Sequence, residues 1–308
     1  MSIVFWAGQS KTGQHATLLL SIGGNSKTGK VLELTLLPSL LIADWPAWTR
    51  GLDHRKHGAI YVRWLREHPE QFRAVCPEDC DHLINKTCYV QNNVQNAGQV
   101  ARIIRDLLSA YWTKDKEGDW RLHRTSPLAT SNRGINPDVI DYIKHAKRFG
   151  GVDMVRSMVA GDGCMIPMAV WLRLESYLLA HFPVSQWLAY THGWKNASHL
   201  QTTHVASCDT TANALEAMAL GWRVFEVIAP TGSIPVSAAL CPASSEFKRK
   251  HGASIGCQGC PIGCNGSANK RHRVIPRHAN GDSSRKAAAA RRGHVLTDSK
   301  GRTRGLYL

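Results

Sequence analysis

THVASCDTTANALEAMALGWRVFEVIAP, residues 203–230, is the stretch that determines the fold class. An apolar run is followed by a helical segment that ends at Gly221, and then by a second apolar run with β-branched and aromatic residues. Glycine often follows the last turn of a helix, because it adopts a left-handed backbone without strain. A strand, a helix and a strand in this order form the βαβ unit of a parallel sheet.

The segments on either side of this unit extend the same alternation. Upstream, strands are predicted at MVRSMVAGDG (154–163) and QWLAYTHGW (186–194), with a helix between them that opens at Pro167. Downstream, a further strand leads into Cys241. Residues 15–37 contain two β-type runs around a Gly/Asn/Ser turn and predict a hairpin. The predicted fold is therefore α/β: a partial βα barrel with an N-terminal β-hairpin and a Cys-rich metal loop near the C-terminus.

Polar residues follow the predicted strands at the edge where the carboxyl ends of parallel strands meet. Asp162, His192 and Asp209 each stand at such a strand end. Open α/β sheets and α/β barrels place their sites at this edge. The three residues are therefore candidate catalytic residues that bind substrate or move protons. The alternative is a helix cap for each Asp, and a turn position beside Gly193 for His192.

The charge of the chain predicts a polyanionic partner. Its 308 residues carry a formal net charge of +15, and 43% of them are apolar, which is enough for a packed core. Residues 270–308 contain eleven Lys or Arg and two Asp, with little apolar surface to bury. We expect residues 1–269 to form a barrel-like catalytic domain with two Cys clusters, and 270–308 to be a disordered basic arm that binds nucleic acid or a nucleotide. A solvated tail without specific contacts is the alternative.

The sequence shows neither a secretory signal nor a membrane span, and this predicts where the protein is located. The N-terminal residues lack the basic start and long apolar run of a secretory signal, and no stretch reaches the roughly 18 apolar residues of a membrane span. We therefore expect a cytoplasmic protein that does not contact a membrane. In that reducing compartment, the nine cysteines favour metal binding over disulfides.

A C-terminal cluster contains four of the cysteines, namely Cys241, Cys257, Cys260 and Cys264. Its C-x2-C turn supplies two thiolates from one tight loop. Four thiolates satisfy a tetrahedral zinc ion or one iron–sulfur cluster, and the spacing leaves both open. The alternative is a set of apolar thiols buried in the core.

An earlier loop contains Cys76, Cys80 and Cys88 and precedes a segment with helical periodicity. Three thiolates hold a four-iron cluster and leave one iron open to a small ligand. The alternatives are a zinc site completed by a nearby His or acid, or thiols buried in the core. Cys164 and Cys208 stand apart from both clusters, each at a strand end.

The order of a three-Cys loop, an aromatic residue beside its last Cys (TCYV, 87–90), a helix and then βα units resembles the radical S-adenosylmethionine enzymes. Cys76 and Cys80 match the first spacing of that family's C-x3-C-x2-C motif, whereas Cys88 follows after seven residues instead of two. The resemblance implies an iron–sulfur cluster of the 4Fe-4S type on these three cysteines, with S-adenosylmethionine as the ligand of its open iron.

The chain also resembles an uncharacterised phage family called gene product 88. The likeness is carried by CPEDCDHLINKTCYV (76–90), AGDG (160–163), WLAYTHGW (187–194), CPASS (241–245) and CQGCPIGC (257–264). It implies a phage-encoded protein in the host cytoplasm and supplies no established reaction.

Three functions follow from these features. The leading prediction is a metal-dependent enzyme, similar to radical S-adenosylmethionine enzymes, that acts on nucleic acid or a nucleotide. The second is a zinc-containing base transglycosylase in which Asp162 or Asp209 attacks the sugar carbon that carries the base. The third is a non-catalytic, zinc-stapled protein that binds nucleic acid through its basic arm.

Overall fold

The computed structural model describes residues 2–25, 28–38, 57–78, 80, 103–104, 112–114, 116, 120–122, 138–148, 150–228, 234, 238–253, 255–257, 260, 264 and 273–276. Cys88 and most of the predicted basic arm, residues 270–272 and 277–308, lie outside the described residues. The roles assigned to them stay predictions.

The described elements begin with strands and continue with strands and helices in alternation. The strands are β1 (Ser2–Gln9), β2 (His15–Asn25), β3 (Gly29–Pro38), β4 (Trp112–Lys114), β5 (Trp120–Leu122), β6 (Met154–Arg156), β7 (Trp187–Leu188), β8 (Tyr190–Thr191), β9 (Val205–Cys208), β10 (Val224–Ile228), β11 (Ala239–Leu240) and β12 (Arg273–Pro276). The α-helices are α1 (His57–Glu67), α2 (Asp138–Arg148), α3 (Met168–Leu179), α4 (Thr211–Ala219) and α5 (Ser245–His251). None of these described helices is long and apolar enough to cross a bilayer.

The first large sheet has the order β1-β2-β3-β6-β7. β1, β2 and β3 pair antiparallel, and β3, β6 and β7 pair parallel. The predicted hairpin within residues 15–37 is the pair β2–β3, in which Leu20 lies opposite Leu34. Side chains on both faces of β2, such as Leu18 and Leu19, are fully buried, because neighbouring elements cover both sides of the sheet.

The second large sheet has the order β11-β12-β10-β9-β8, and all of its pairs are parallel. β8 and β11 are two residues long, so β9, β10 and β12 form its body. The unit β9–α4–β10 is the βαβ unit predicted from residues 203–230, with Ala206 opposite Val224. Gly221, with φ +83°, ends the helical segment as its position in the sequence predicts.

The prediction of a partial βα barrel is wrong, because the described strands form separate open sheets and no closed barrel is found among them. The strand predicted at 186–194 is divided between the two large sheets. Trp187–Leu188 pairs with β6, whereas Tyr190–Thr191 pairs with β9. Ala189 lies between the two halves, and its carbonyl accepts a hydrogen bond from the Val205 amide at 2.9 Å. β1 and β11, the outer strands, do not pair with each other.

Part of the predicted basic arm belongs to the second sheet. β12 lies between β10 and β11 and pairs with both. Its Val274 side chain is fully buried, and the Val274 carbonyl accepts a hydrogen bond from the Cys241 amide at 2.9 Å. The boundary predicted between residues 269 and 270 therefore falls before the last described strand. A four-residue strand flanked by basic residues gives too short an apolar run to be read from sequence.

Helix α3 packs on the first sheet through two buried tryptophans. Trp171 of α3 meets Trp187 of β7 edge-on, with 6.3 Å between the ring centroids. Both indoles are fully buried. Truncating a buried Trp to Ala typically costs about 3–5 kcal/mol. This contact therefore fixes the helix over the strands that lead to the candidate residues.

The chain that follows β6 brings the first candidate residue to the strand ends. It continues beside β3, where the Val159 amide donates to the Leu34 carbonyl at 2.8 Å. Gly161 then turns the backbone with φ +76°, and a Cβ at this position would come within 2.6 Å of the Leu36 carbonyl oxygen. Only glycine meets both conditions without strain. Asp162 follows directly after this turn.

Candidate functional site

Asp162 is the centre of a hydrogen-bonded group beyond the ends of β6 and β8. Its side chain is buried. Oδ1 accepts hydrogen bonds from the Thr191 hydroxyl (2.6 Å) and the Cys164 amide (2.9 Å). Oδ2 accepts one from the His192 amide (2.7 Å). Three donors converge on one carboxylate, so this position is built to hold a negative charge.

The pKa of Asp162 lies well below its ordinary value of 3.8. Burial alone would raise this pKa, but the interactions with His192, Thr191 and the Cys164 amide together outweigh burial. Asp162 is therefore ionised at neutral pH. Its Oδ2 lies 3.7 Å from Nδ1 of His192, whose side chain is 29% exposed. The charge thus faces an imidazole that reaches solvent.

His192 also contacts the neighbouring strand. Its Nε2 lies 3.2 Å from Oγ of Ser207, and the direction of this hydrogen bond depends on the tautomer of the ring. The contact follows from the register of β8 and β9, in which Thr191 lies opposite Ala206. His192 and Ser207 therefore lie at two adjacent strand ends, and Asp162, from the chain that follows β6, contacts His192 on its other side.

A second Ser–His pair lies inside the core. Oγ of Ser157 is 3.1 Å from Nε2 of His204, and the hydroxyl of Thr203 is 3.1 Å from Nδ1. His204 is fully buried, and Trp171 packs edge-on against its ring. Burial lowers the pKa of His204 to about 3, so the ring is neutral near pH 7. This pair is a fixed part of the core.

The first cysteine loop lies next to Asp162. The Asp162 amide donates to the Val75 carbonyl at 2.7 Å, which brings the neighbouring Cys76 to the same edge of the sheet. Cys76 is half-buried and Cys80 is buried. One of the three predicted cluster ligands, Cys76, therefore lies at the strand ends, and the third, Cys88, is outside the described residues.

Cys164 belongs to the group around Asp162, although it lies far from both cysteine clusters in the sequence. Its side chain packs against Gly193, where an added Cβ would come within 2.7 Å of the Cys164 Cβ. Burial, and then the negative charge of Asp162, raise the pKa of Cys164 far above its ordinary value. The side chain is therefore a protonated thiol at neutral pH. Gly193 leaves the room that this thiol needs.

Asp209 stands at the end of β9, two residues after Ser207, with a half-buried side chain. Its charge acts on Cys208, whose pKa is raised to about 12 by burial first and then by Asp209. Of the three candidate catalytic residues, Asp162 and His192 are in direct contact, and Asp209 shares a strand end with Ser207.

Three thiols of the C-terminal cluster lie around one tyrosine. Burial raises the pKa of Tyr190, and the thiols of Cys264, Cys241 and Cys257 raise it further. Cys257 and Cys264 pack with Tyr190 against a small apolar cluster of Val31, Met154 and Leu188. The Cys260 amide points to the Cys257 carbonyl at 3.5 Å, and all four cysteines are half-buried. Three of the four predicted ligands thus lie close to Tyr190.

Within the described part of the chain, no group of three or more His, Cys, Asp or Glu side chains is arranged to hold a metal ion. The C-terminal thiols surround Tyr190 without converging on one point. Their chemistry suits zinc or an iron–sulfur cluster. Metal binding by Cys241, Cys257, Cys260 and Cys264, and by the first loop, therefore stays a prediction.

Ser207, Thr191 and Cys164 complete the group around Asp162 and carry no motif of their own. Each is a small polar residue in or beside an apolar strand, a pattern that many buried residues share. The one available signal for Ser207 is its position near a strand end, two residues before Asp209. Its contact with His192 requires the strand order, which the sequence pattern does not contain.

No protein-family model, no curated protein and no solved structure matches this chain. The likeness to the gene product 88 family therefore stays a prediction.

Proposed function

We propose that the protein is a metal-dependent enzyme that acts on nucleic acid or a nucleotide, with its active site where Asp162 faces His192. The observation that carries the proposal is the approach of a buried, ionised Asp162 to a partly exposed imidazole. A carboxylate in this position orients the ring and stabilises its protonated form. Imidazole is the side chain that most often transfers protons in enzymes.

The position of the pair supports a role in chemistry. His192 lies at the carboxyl ends of parallel strands, the edge where open α/β sheets bind ligands. Its ring is partly exposed, so a substrate can reach it. In this arrangement Asp162 fixes the ring, and His192 takes or gives a proton at Nε2.

The charge of the chain supports a phosphate-bearing substrate. The formal net charge is +15, and such an excess attracts polyanions. Residues 277–308, which follow β12, hold eight Lys or Arg and two Asp. We propose that this segment binds phosphates without reading the base sequence.

The cysteine loops supply the donors for the metal. Cys76, Cys80 and Cys88 would hold an iron–sulfur cluster with S-adenosylmethionine on its open iron, and the C-terminal cysteines a second cluster or a zinc ion. When bound at the first loop, a cluster supplies one-electron chemistry. The contact between the backbones of Asp162 and Val75, next to Cys76, supports a shared site.

Base transglycosylation through Asp162 is disfavoured by the same geometry. A nucleophilic carboxylate needs an oxygen that reaches the sugar, but three donors occupy the buried carboxylate of Asp162. The donors also lower its pKa and thereby its nucleophilicity. We therefore assign Asp162 to positioning and not to covalent attack.

Product formation tests the proposal. The protein is purified anaerobically, loaded with iron and sulfide or with zinc, and incubated with S-adenosylmethionine, nucleotides, and DNA and RNA oligonucleotides. His192→Ala should lower the rate of product formation at least about 100-fold. His15→Ala, an exposed position on β2, is the matched control and should leave the rate unchanged. Binding without any product in all preparations would contradict an enzyme and favour the zinc-stapled binding protein.

Removal of residues 277–308 tests the nucleic-acid part separately and spares β12. Loss of the basic segment should weaken binding and reduce the dependence of log K on log salt concentration. Filter binding at several salt concentrations measures both quantities. An unchanged slope would show that this segment makes no phosphate contacts.

Metal binding by the C-terminal cysteines is tested with a matched pair of cysteine variants. Cys260→Ala should lose one metal centre, whereas Cys208→Ala should keep the full metal content, because Cys208 is buried with a pKa raised to about 12. Metal and sulfide analysis of the two purified proteins gives the answer. Equal metal content in both would contradict a C-terminal metal site.

A further inference from the structure

Ser207 is the member of the Asp162 group that proton transfer by His192 leaves without a role. We propose that Ser207 is a nucleophile, and that the protein cleaves phosphodiesters through a covalent phosphoryl-Ser207 intermediate. The inference rests on the proposed function, since it uses the same His192 and a phosphate-bearing substrate. It adds the class of reaction.

The geometry supplies the parts that an activated serine needs. Oγ of Ser207 lies 3.2 Å from Nε2 of His192, within reach for proton transfer. On the other side of the ring, Nδ1 lies 3.7 Å from Oδ2 of Asp162. That distance exceeds a hydrogen bond, but Oδ2 is held at 2.7 Å by the His192 amide, and catalytic contacts commonly shorten when substrate binds.

Ser207 is itself buried, but the ring that it contacts is not. It is the next-to-last residue of β9 and contacts the partly exposed His192, whereas Ser157, the serine of the other Ser–His pair, contacts a fully buried ring. Helix α4 begins four residues after Ser207, capped by the Thr210 hydroxyl, which accepts a hydrogen bond from the Asn213 amide at 3.1 Å. The amino end of a helix favours a nearby phosphate.

The reaction balances without a redox partner. The Ser207 hydroxyl gives its proton to His192 Nε2 while Oγ forms a bond to phosphorus. The bond from phosphorus to the leaving oxygen breaks, and that oxygen takes the proton from His192. Water then attacks phosphorus and gives its proton to His192, the Oγ–phosphorus bond breaks, and Oγ takes that proton back from His192. No electron is transferred, so the step needs no oxidant or reductant.

A fluorophosphonate probe tests the nucleophile directly, because it forms a stable bond with an activated serine. Intact protein is treated at neutral pH, digested, and the labelled peptide is identified by mass spectrometry. We expect the label on Ser207, no label in Ser207→Ala, and a rate at least about 100-fold lower in His192→Gln. Ser157→Ala is the matched control and should be labelled like the original protein, provided that circular dichroism shows each variant to be folded.

A chromogenic phosphodiester, bis(p-nitrophenyl) phosphate, gives a second measurement. We expect a burst of p-nitrophenolate that matches the protein concentration and that disappears in Ser207→Ala. Absence of label and burst in the original protein, or labelling that does not depend on His192, would overturn the inference. If Ser207→Ala keeps oligonucleotide turnover while His192→Ala loses it, Ser207 is not the nucleophile and the proposed function stands. If both variants keep turnover, both proposals fail.

Discussion

Two Ser–His pairs of nearly equal geometry occupy different places in this protein. Ser157 and His204 lie 3.1 Å apart inside the core, and Ser207 and His192 lie 3.2 Å apart at the strand ends. His204 is fully buried, whereas the side chain of His192 is 29% exposed. Equal distances between the same two residue types therefore do not define equal roles.

The two pairs differ in the group that faces Nδ1 of the histidine and in the access of water to the ring. Nδ1 of His204 meets the neutral hydroxyl of Thr203, and burial keeps the ring uncharged. Nδ1 of His192 faces the carboxylate of Asp162, whose charge three donors stabilise. A buried neutral ring holds the core together, while a ring between an ionised Asp and solvent is placed to exchange protons.

Removing the negative charge of Asp162 should lower the stability of the protein more than any other change considered. Asp162→Asn leaves at least one of three buried donors without an acceptor, so the free energy of unfolding should fall by about 3 kcal/mol. Urea denaturation measures this change. Asp153→Asn, whose exposed carboxylate lies 3.7 Å from Lys147, is the control and should change stability by less than about 0.5 kcal/mol. Equal stability of the two variants would contradict the role given to Asp162.

Adding a side chain at Gly193, the residue after His192, should give the next largest loss of stability. Gly193→Ala forces a Cβ against the Cys164 side chain at an ordinary backbone φ of −82°, so the cost is steric and amounts to about 2 kcal/mol. The double variant Cys164→Ala/Gly193→Ala should recover only part of that loss, because it removes the sulfur but keeps the Cβ of residue 164, which lies 2.7 Å from the new Cβ. If thermal unfolding shows the double variant to be no better than Gly193→Ala, the close packing of these two residues is not the cause.

The buried pair of Ser157 and His204 should make the stability of the protein depend on pH. The folded protein keeps His204 neutral down to about pH 3, while the unfolded chain takes up this proton below about pH 6.5. Stability is therefore complete above pH 6.5 and falls by about 1.4 kcal/mol per pH unit from there toward pH 3. Asp162, with its lowered pKa, adds to this loss only below about pH 4. His204→Gln should have a shallower slope between pH 4 and 6 by urea denaturation, and an equal slope would contradict a buried neutral ring.

Removing the exposed charge of Lys195 should have the smallest effect on stability. Nζ of Lys195 lies 2.8 Å from Oε2 of Glu216, but both side chains are about half exposed, at 48% and 49%. Solvent screens such a pair, so Lys195→Ala should lower the free energy of unfolding by less than about 1 kcal/mol. A loss as large as that of Asp162→Asn would show that surface charge, and not the buried carboxylate, holds this edge together.

The local parts of the fold could be predicted from the sequence, and the pairing of distant parts could not. The βαβ unit of residues 203–230 and the hairpin of β2 and β3 follow from periodicity and turn residues. The division of residues 187–191 between two sheets, and the place of β12 between β10 and β11, depend on partners far away in sequence. No local pattern encodes such partners.

The same limit applies to the candidate site. Asp162 and His192 could be predicted because each follows an apolar run that the sequence marks as a strand. Ser207 could not be joined to them, because its contact requires β8 to lie beside β9 in one register. The contrast between His192 and His204 also needs the structure, since burial and not residue type separates them.

Histidine ring NMR during titration with an oligonucleotide tests whether the strand-end pair, and not the buried pair, forms the active site. Spectra of His192→Gln and His204→Gln assign the two rings. We expect the His192 signals to shift and saturate with binding, while the His204 signals stay in place. Binding that leaves the His192 signals unchanged would contradict this assignment of the active site.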